Sequence, residues 1–116
     1  MENDAKAIID GYKYELLAIQ DTLDIIAGKW NMQVMALVCS GEFRYSELQA
    51  ALPKITPKML SRVLKDLEQN QLIVRREEAG PPLRVTYALS EYGYTMVPLI
   101  VELTNWGKAH RERMRG

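Results

Sequence analysis

The chain has 116 residues, 47% of them hydrophobic, and its 15 Lys/Arg against 15 Asp/Glu leave it formally neutral. That length fits one domain, able to bury roughly 65% of its unfolded surface without a disulfide scaffold. The only cysteine, Cys39, excludes intrachain disulfides and points to a reducing compartment, the cytoplasm. The opening residues, MENDAKAIIDG, are too acidic and polar for a signal peptide. No apolar run approaches the ~20 residues of a membrane span. Cys39 and His110 are the only soft ligands, so no metal site is expected. No Gly-rich phosphate loop or nucleophile motif suggests a cofactor or an enzyme.

Neutrality at first argues against nucleic acid, but the charge is unevenly distributed. Residues 1–40 carry a net −3, residues 41–76 a net +3, and residues 77–116 balance. A basic surface can therefore sit on a neutral protein.

From Ile8, the residues Ile9, Tyr12, Leu16, Ile19, Leu23 and Ile26 keep helical spacing. Gly11 weakens the first part, and Gly28 ends or bends the second. A further helix is predicted over about Lys29 to Val38, apolar at Trp30, Val34, Leu37 and Val38 and closed by Ser40-Gly41. Ser46 with Gln49 gives a capping-box pattern for a short helix over about Ser46 to Leu52, and Pro53-Lys54 make a turn.

The segment Ile55 to Leu72 then starts with Thr56 as N-cap and Pro57 as first helical residue. Leu60, Val63, Leu64 and Leu67 form one apolar stripe. Lys58, Arg62 and Lys65 share another face, with Ser61 among them, and no acid lies between Glu47 and Asp66. Alone, this pattern fits an ordinary surface helix as well as one that a DNA major groove admits. As the second of two short helices across a tight turn, it forms a helix-turn-helix arrangement.

After Leu72, IVRREE and LRVTYAL flank AGPP and predict a β-hairpin whose loop is stiffened by Pro81-Pro82. Ser90 is expected to cap a long helix over about Glu91 to Arg113, with Pro98 kinking it or shifting its start. Met96, Val97, Leu99, Ile100, Val101, Leu103 and Trp106 make that helix apolar on nearly all sides, which predicts burial all round. So small a domain covers one face only, and a second copy is the simplest cover for the other.

The fold class that follows is mainly α with a small β-hairpin (α+β), a single winged helix-turn-helix domain. It divides into an N-terminal helical arm (about 1–20), a DNA-binding core (about 21–90) and a C-terminal dimerisation helix (about 91–113). The expected dimer interface comprises Ile8, Ile9, Tyr12 and Leu16 of the arm with Met96, Leu99, Ile100, Leu103 and Trp106. The expected partners are double-stranded DNA and a second copy of the chain, with no membrane. A small-molecule effector is not specified by the sequence.

DNA binding requires cations at phosphate spacing and short polar groups at base edges. Thr56, Pro57, Lys58 and Ser61 lie toward the helix N-terminus, where recognition helices usually touch bases. Arg62 is the foremost base reader, since its fork can hold guanine O6 and N7, while Lys65 follows on the same face. Arg44 and Ser46, with the backbone amides of the preceding helix start, suit a phosphate. Tyr45 either joins them or packs under the helix. On the hairpin, alternation keeps Arg75 and Arg76 on opposite faces, so at least one is expected to pair with Glu77 or Glu78. Arg84 is the best wing-tip contact. Trp30 and Trp106 read as core or dimer-interface residues. The basic tail (Lys108, Arg111, Arg113, Arg115) complements the helix dipole, with any DNA role secondary.

Three stretches then carry a resemblance: LDIIAGKW (Leu23–Trp30), GEFRYSELQAALPKITPKMLSRVLKDLEQNQLI (Gly41–Ile73) and PPLRVTYALSEYGYTMVPLIVELTNW (Pro81–Trp106). They resemble the HxlR-type winged-helix transcriptional regulators of bacteria, most specifically in ITPKML and in the join from PP through V-T-Y-A-L-S to Gly93. The resemblance implies a homodimeric DNA-binding regulator, with terminal helices building the dimer, the second helix of the pair in the major groove and the wing on the flanking backbone or minor groove. One departure stands out. Many such proteins carry a Cys-Pro pair about thirteen residues before GKW, and here Leu17 and Ala18 occupy those positions. Redox sensing through that cysteine is therefore not supported, and Cys39 reads as a buried, inert residue. The rival function is a winged-helix protein-interaction module without DNA binding, which zero net charge keeps open.

Overall fold

A computed structural model describes residues 2–116, with side chains from residue 4 on; residue 1 of the expected arm lies outside the described residues. The arm is two helices, α1 (Glu2–Gly11) and α2 (Lys13–Ile26). They part at Gly11, whose backbone freedom makes a continuous helix costly there. No residue of α2 is buried. The molecule measures 69 × 38 × 24 Å with a radius of gyration of 18.2 Å. A compact domain of this length would have about 13 Å. The arm therefore projects from the rest.

Next comes α3 (Asn31–Cys39), two residues later at its start than expected. Asn31 donates from Nδ2 to the Ile25 carbonyl at 2.8 Å and so closes the end of α2. Gly28 makes room for that amide, since a Cβ there would lie 2.8 Å from Asn31 Oδ1. Val34, Met35 and Val38 of α3 are buried at the centre of the core.

Two short helices follow, α4 (Tyr45–Ala51) and α5 (Pro57–Gln69), preceded by a two-residue strand β1 (Phe43–Arg44). The expected stripe of α5 is the one that packs: Leu60, Val63, Leu64 and Leu67 are buried. Each contributes about 2 kcal/mol of apolar burial. Leu48 of α4, Leu72, Ile73, Tyr87, Leu89 and Ile100 complete the same cluster with Trp30.

The hairpin is β2 (Ile73–Glu78) and β3 (Arg84–Leu89), antiparallel from Ile73↔Leu89 to Glu78↔Arg84. β1 adds to it through Phe43↔Tyr87 and Arg44↔Thr86, giving a three-stranded sheet in the order β1-β3-β2. A strand of two residues has no periodicity to read, so only a hairpin was expected.

α5 ends in a motif that the sequence did not announce. Gln71 has φ 63°, Leu72 N–H bonds to Leu67 C=O at 3.0 Å, and Gln71 N–H bonds to Glu68 C=O at 2.9 Å. That is a Schellman motif with Gln where Gly is usual. Ser90 ties to this corner and also caps the turn that leads into the last helix. Its hydroxyl donates to Gln71 C=O at 2.6 Å and accepts from Gly93 N–H at 2.8 Å.

The expected helix over Glu91 to Arg113 is corrected accordingly. A 3-10 turn (Tyr92–Met96) comes first, and α6 (Val97–Arg115) begins with Pro98 in its first turn. Proline shifts the start because its missing N–H costs nothing there. Within the single chain, α6 is covered on one side only. Ile100 is its one buried residue, and Val101, Leu103 and Trp106 are exposed.

Candidate nucleic-acid interface

Successive residues of a helix are separated by roughly 100° around its axis. On α5 that places Lys58, Arg62 and Lys65 within about 60° of one another and opposite the buried stripe. All three are exposed, and none forms an ion pair among the described residues. The apolar side thus fixes the helix in the core, and the cationic side faces outward by the same periodicity.

The start of α5 is held firmly. Thr56 Oγ1 accepts from Met59 N–H at 3.2 Å, and Pro57 follows at the first helical position. Thr56 therefore spends acceptor capacity on the cap but keeps its proton to donate. Tyr45 reaches across from α4. Its hydroxyl lies 2.8 Å from the Pro57 carbonyl oxygen and 3.2 Å from Ser61 Oγ. Of the two places open to Tyr45, the structure shows packing against the helix start, with the ring partly buried.

The cap of α4 differs from expectation. The helix begins at Tyr45, and the Arg44 N–H donates to Glu47 Oε1 at 2.8 Å, whereas Ser46 and Gln49 make no such exchange. Side-chain reach decides this: Glu47 is three residues beyond Arg44, the N-cap, as a capping box requires. A carboxylate of the protein itself thus occupies the helix start where a phosphate was expected. Arg44 and Ser46 remain exposed beside it.

On the hairpin, both neighbouring arginines are engaged. Arg75 pairs with Glu77, and Arg76 pairs with Glu42, just before β1. The first pairing is the one anticipated, two residues along one strand and on one face. The second joins residues 34 apart in sequence and was not legible. The Tyr87 hydroxyl and the Glu77 carboxylate push the Arg75 guanidinium further above its already high range, so it stays cationic. Cross-strand register brings Arg44, Arg76 and Arg84 onto one face of the sheet with Thr86 and Glu78, and Glu42 lines the same cleft. Ion pairs between half-exposed side chains are weak, and a phosphate can displace the acid. Arg84 forms no ion pair among the described residues.

The expected interface residues divide in two. Ile8, Ile9, Tyr12 and Leu16 are all more than half exposed, and Trp106 is 69% exposed and stacked on His110. Ile100 instead lies inside the chain's own core, Met96 packs against it and Leu99 is partly buried. Trp30 is a core residue, with its indole N–H unpaired and Lys29 Nζ 5.2 Å from the ring centre. Cys39 is partly buried and packs against the core. Among the described residues no cluster suits a metal ion, and no helix is long and apolar enough to cross a membrane.

A tight helix pair with a cationic second helix, backed by a three-stranded wing, defines a winged helix-turn-helix protein. Residues 25–115 match the model of the HxlR-like helix-turn-helix family. The chain is 47% identical over 89 residues to YdzF of Bacillus subtilis (strain 168), described as an HTH-type transcriptional regulator, covering 76% of this chain and 82% of that protein. The solved structure of the redox regulator HypR in its reduced form is similar with a TM-score of 0.80 at 31% identity, over 84% of this chain and 97% of HypR. That of the HTH-type regulator ytcD has a TM-score of 0.77 at 36% identity, over 81% of this chain and 96% of ytcD. The chain belongs to the HxlR-like helix-turn-helix family.

Proposed function

We propose that this DNA-binding transcriptional regulator works in the cytoplasm as a homodimer, with α5 in the major groove of an operator and the β2–β3 wing on the flanking backbone or minor groove. The two-sidedness of α5 carries the reading: four residues of one face are anchored in the core while Lys58, Arg62 and Lys65 stand unpaired in solvent on the other. Lys58 and Lys65 neutralise phosphates, and Arg62 holds a guanine edge. Thr56, Pro57 and Ser61 bring the helix start to the base edges. Arg84 meets phosphate at the wing, joined from the same face by Arg76 once phosphate displaces Glu42; Arg75, on the opposite face with Glu77, adds a second cation to the wing, and Arg44 and Ser46 flank the site.

The dimer reading rests on the projecting arm. Isolated helices of this length are marginal in water, so packing must hold them. Their apolar residues Ile8, Ile9, Tyr12 and Leu16, with Leu103 and Trp106 of α6, are exposed in the single chain. A second copy covers them, while Met96, Leu99 and Ile100 brace α6 from within. Two copies then present two α5 helices to half-sites about 34 Å apart. The reading assigns no catalytic role and no redox role.

Salt titration of promoter binding is the test. Log K falls by ~0.9 per phosphate contact per log unit of salt. Lys65→Ala should reduce that slope by about one contact and weaken all sequences alike, whereas Arg62→Ala should also relax sequence preference. Unchanged affinity and slope in both variants would remove α5 from the DNA. Light scattering tests assembly separately, and a stable 13.3 kDa species would exclude the dimer.

A further inference from the structure

The contact between Tyr45 and Ser61 fixes the direction of two hydrogen bonds. A phenol has one proton, and a backbone carbonyl can only accept. The 2.8 Å contact to the Pro57 oxygen therefore uses the Tyr45 proton. The 3.2 Å contact between Tyr45 and Ser61 must then use the proton of Ser61. The result is a relay from the Ser61 hydroxyl to the Tyr45 hydroxyl to the Pro57 carbonyl. Ser61 makes no other side-chain hydrogen bond among the described residues, and it remains exposed. Outward it offers lone pairs and no proton.

Serine is ordinarily an ambivalent reader of base edges, because its hydroxyl rotates and serves as donor or acceptor. We propose that Tyr45 removes this ambivalence and makes Ser61 an acceptor-only reader. The major-groove edges that present a donor are adenine, through N6, and cytosine, through N4. Guanine and thymine present only acceptors there. Ser61 therefore selects adenine or cytosine on the strand it faces and rejects guanine and thymine. Tyr45 is a positioning residue in this scheme: it touches no base and acts through the hydrogen bond it accepts from Ser61. The inference rests on α5 lying in the major groove, and it adds the identity of one operator position.

The test is selection of binding sites from a randomised duplex library by the full chain and by the variants Tyr45→Phe and Ser61→Ala. The wild type should show one position per half-site where adenine or cytosine is favoured over guanine or thymine by roughly five-fold, the scale of a single hydrogen bond. Tyr45→Phe keeps the ring and its packing but frees the Ser61 proton. Discrimination at that position should fall below about two-fold, with other positions unchanged. Ser61→Ala, at an exposed site that folding tolerates, should flatten the same position. A merely structural role for Tyr45 would weaken every sequence evenly and leave the base preference intact. Preference retained in Tyr45→Phe, or no position flattened by Ser61→Ala, overturns the proposal. If the wild type selects no site, or if Arg62→Ala and Lys65→Ala change nothing, the groove reading itself fails, and that result is distinguishable from the first.

Discussion

Replacing Gly93 by alanine should damage the join between wing and last helix. A Cβ at that position would lie 2.0 Å from the Leu72 carbonyl oxygen and 3.2 Å from Leu89 Cδ2. Carbon and oxygen need about 3.3 Å, so one backbone segment must move by roughly 1.3 Å. Leu72 cannot yield easily, because it is 1% exposed and its carbonyl accepts from Ser90 N–H at 3.0 Å. Overpacking of this kind costs ~1–3 kcal/mol, and a strained backbone hydrogen bond adds about 1 kcal/mol. The reduced entropy of the unfolded alanine chain returns ~0.5 kcal/mol, leaving a loss of about 2–3 kcal/mol. For a domain of this size that lowers Tm by roughly 10 °C. Thermal unfolding followed by circular dichroism, at one fixed protein concentration, measures it. A Tm within about 2 °C of wild type would mean that the 3-10 turn does not approach Leu72 as described, and the argument for Gly93 would fail.

Gln71→Gly should stabilise the chain by about 0.5–1 kcal/mol, because the left-handed conformation at φ 63° costs a side-chain-bearing residue more than glycine loses in entropy. A lowered denaturation midpoint would contradict the assigned Schellman corner. Glu42→Gln removes the acid that phosphate must displace from Arg76, so promoter binding should tighten at low salt. Unchanged affinity would show that Arg76 stays off the phosphates. Leu16→Asp places a charge on the exposed face of α2 and should shift the assembly toward a 13.3 kDa species without loss of core helicity. Unfolding instead of dissociation would imply that the arm is part of the monomer's own core.

The two sides of α5 were legible because one helix period generates both: spacing that puts Leu60, Val63, Leu64 and Leu67 inward puts Lys58, Arg62 and Lys65 outward. Thr56 and Pro57 marked its start for a local reason too, the orphan N–H groups of the first turn. The hairpin was legible from β-branched alternation around AGPP. The cap of α4 differs from expectation because Ser46 and Gln49 have the same spacing as the true partners, Arg44 N–H and Glu47, two residues earlier. Apolar composition did not say which residues of α6 the chain covers by itself: Ile100 is buried within it, whereas Val101, Leu103 and Trp106 are exposed.

Local periodicity and capping chemistry thus determined the order of elements, the core stripe and the cationic face, because these depend on residues within a turn or two of each other. Tertiary structure alone decided that Glu42 claims Arg76, that Gly93 must lie against Leu72, and that the Tyr45 hydroxyl meets that of Ser61. Those contacts join segments 16 to 34 residues apart, and closing such loops leaves no periodic trace in the chain.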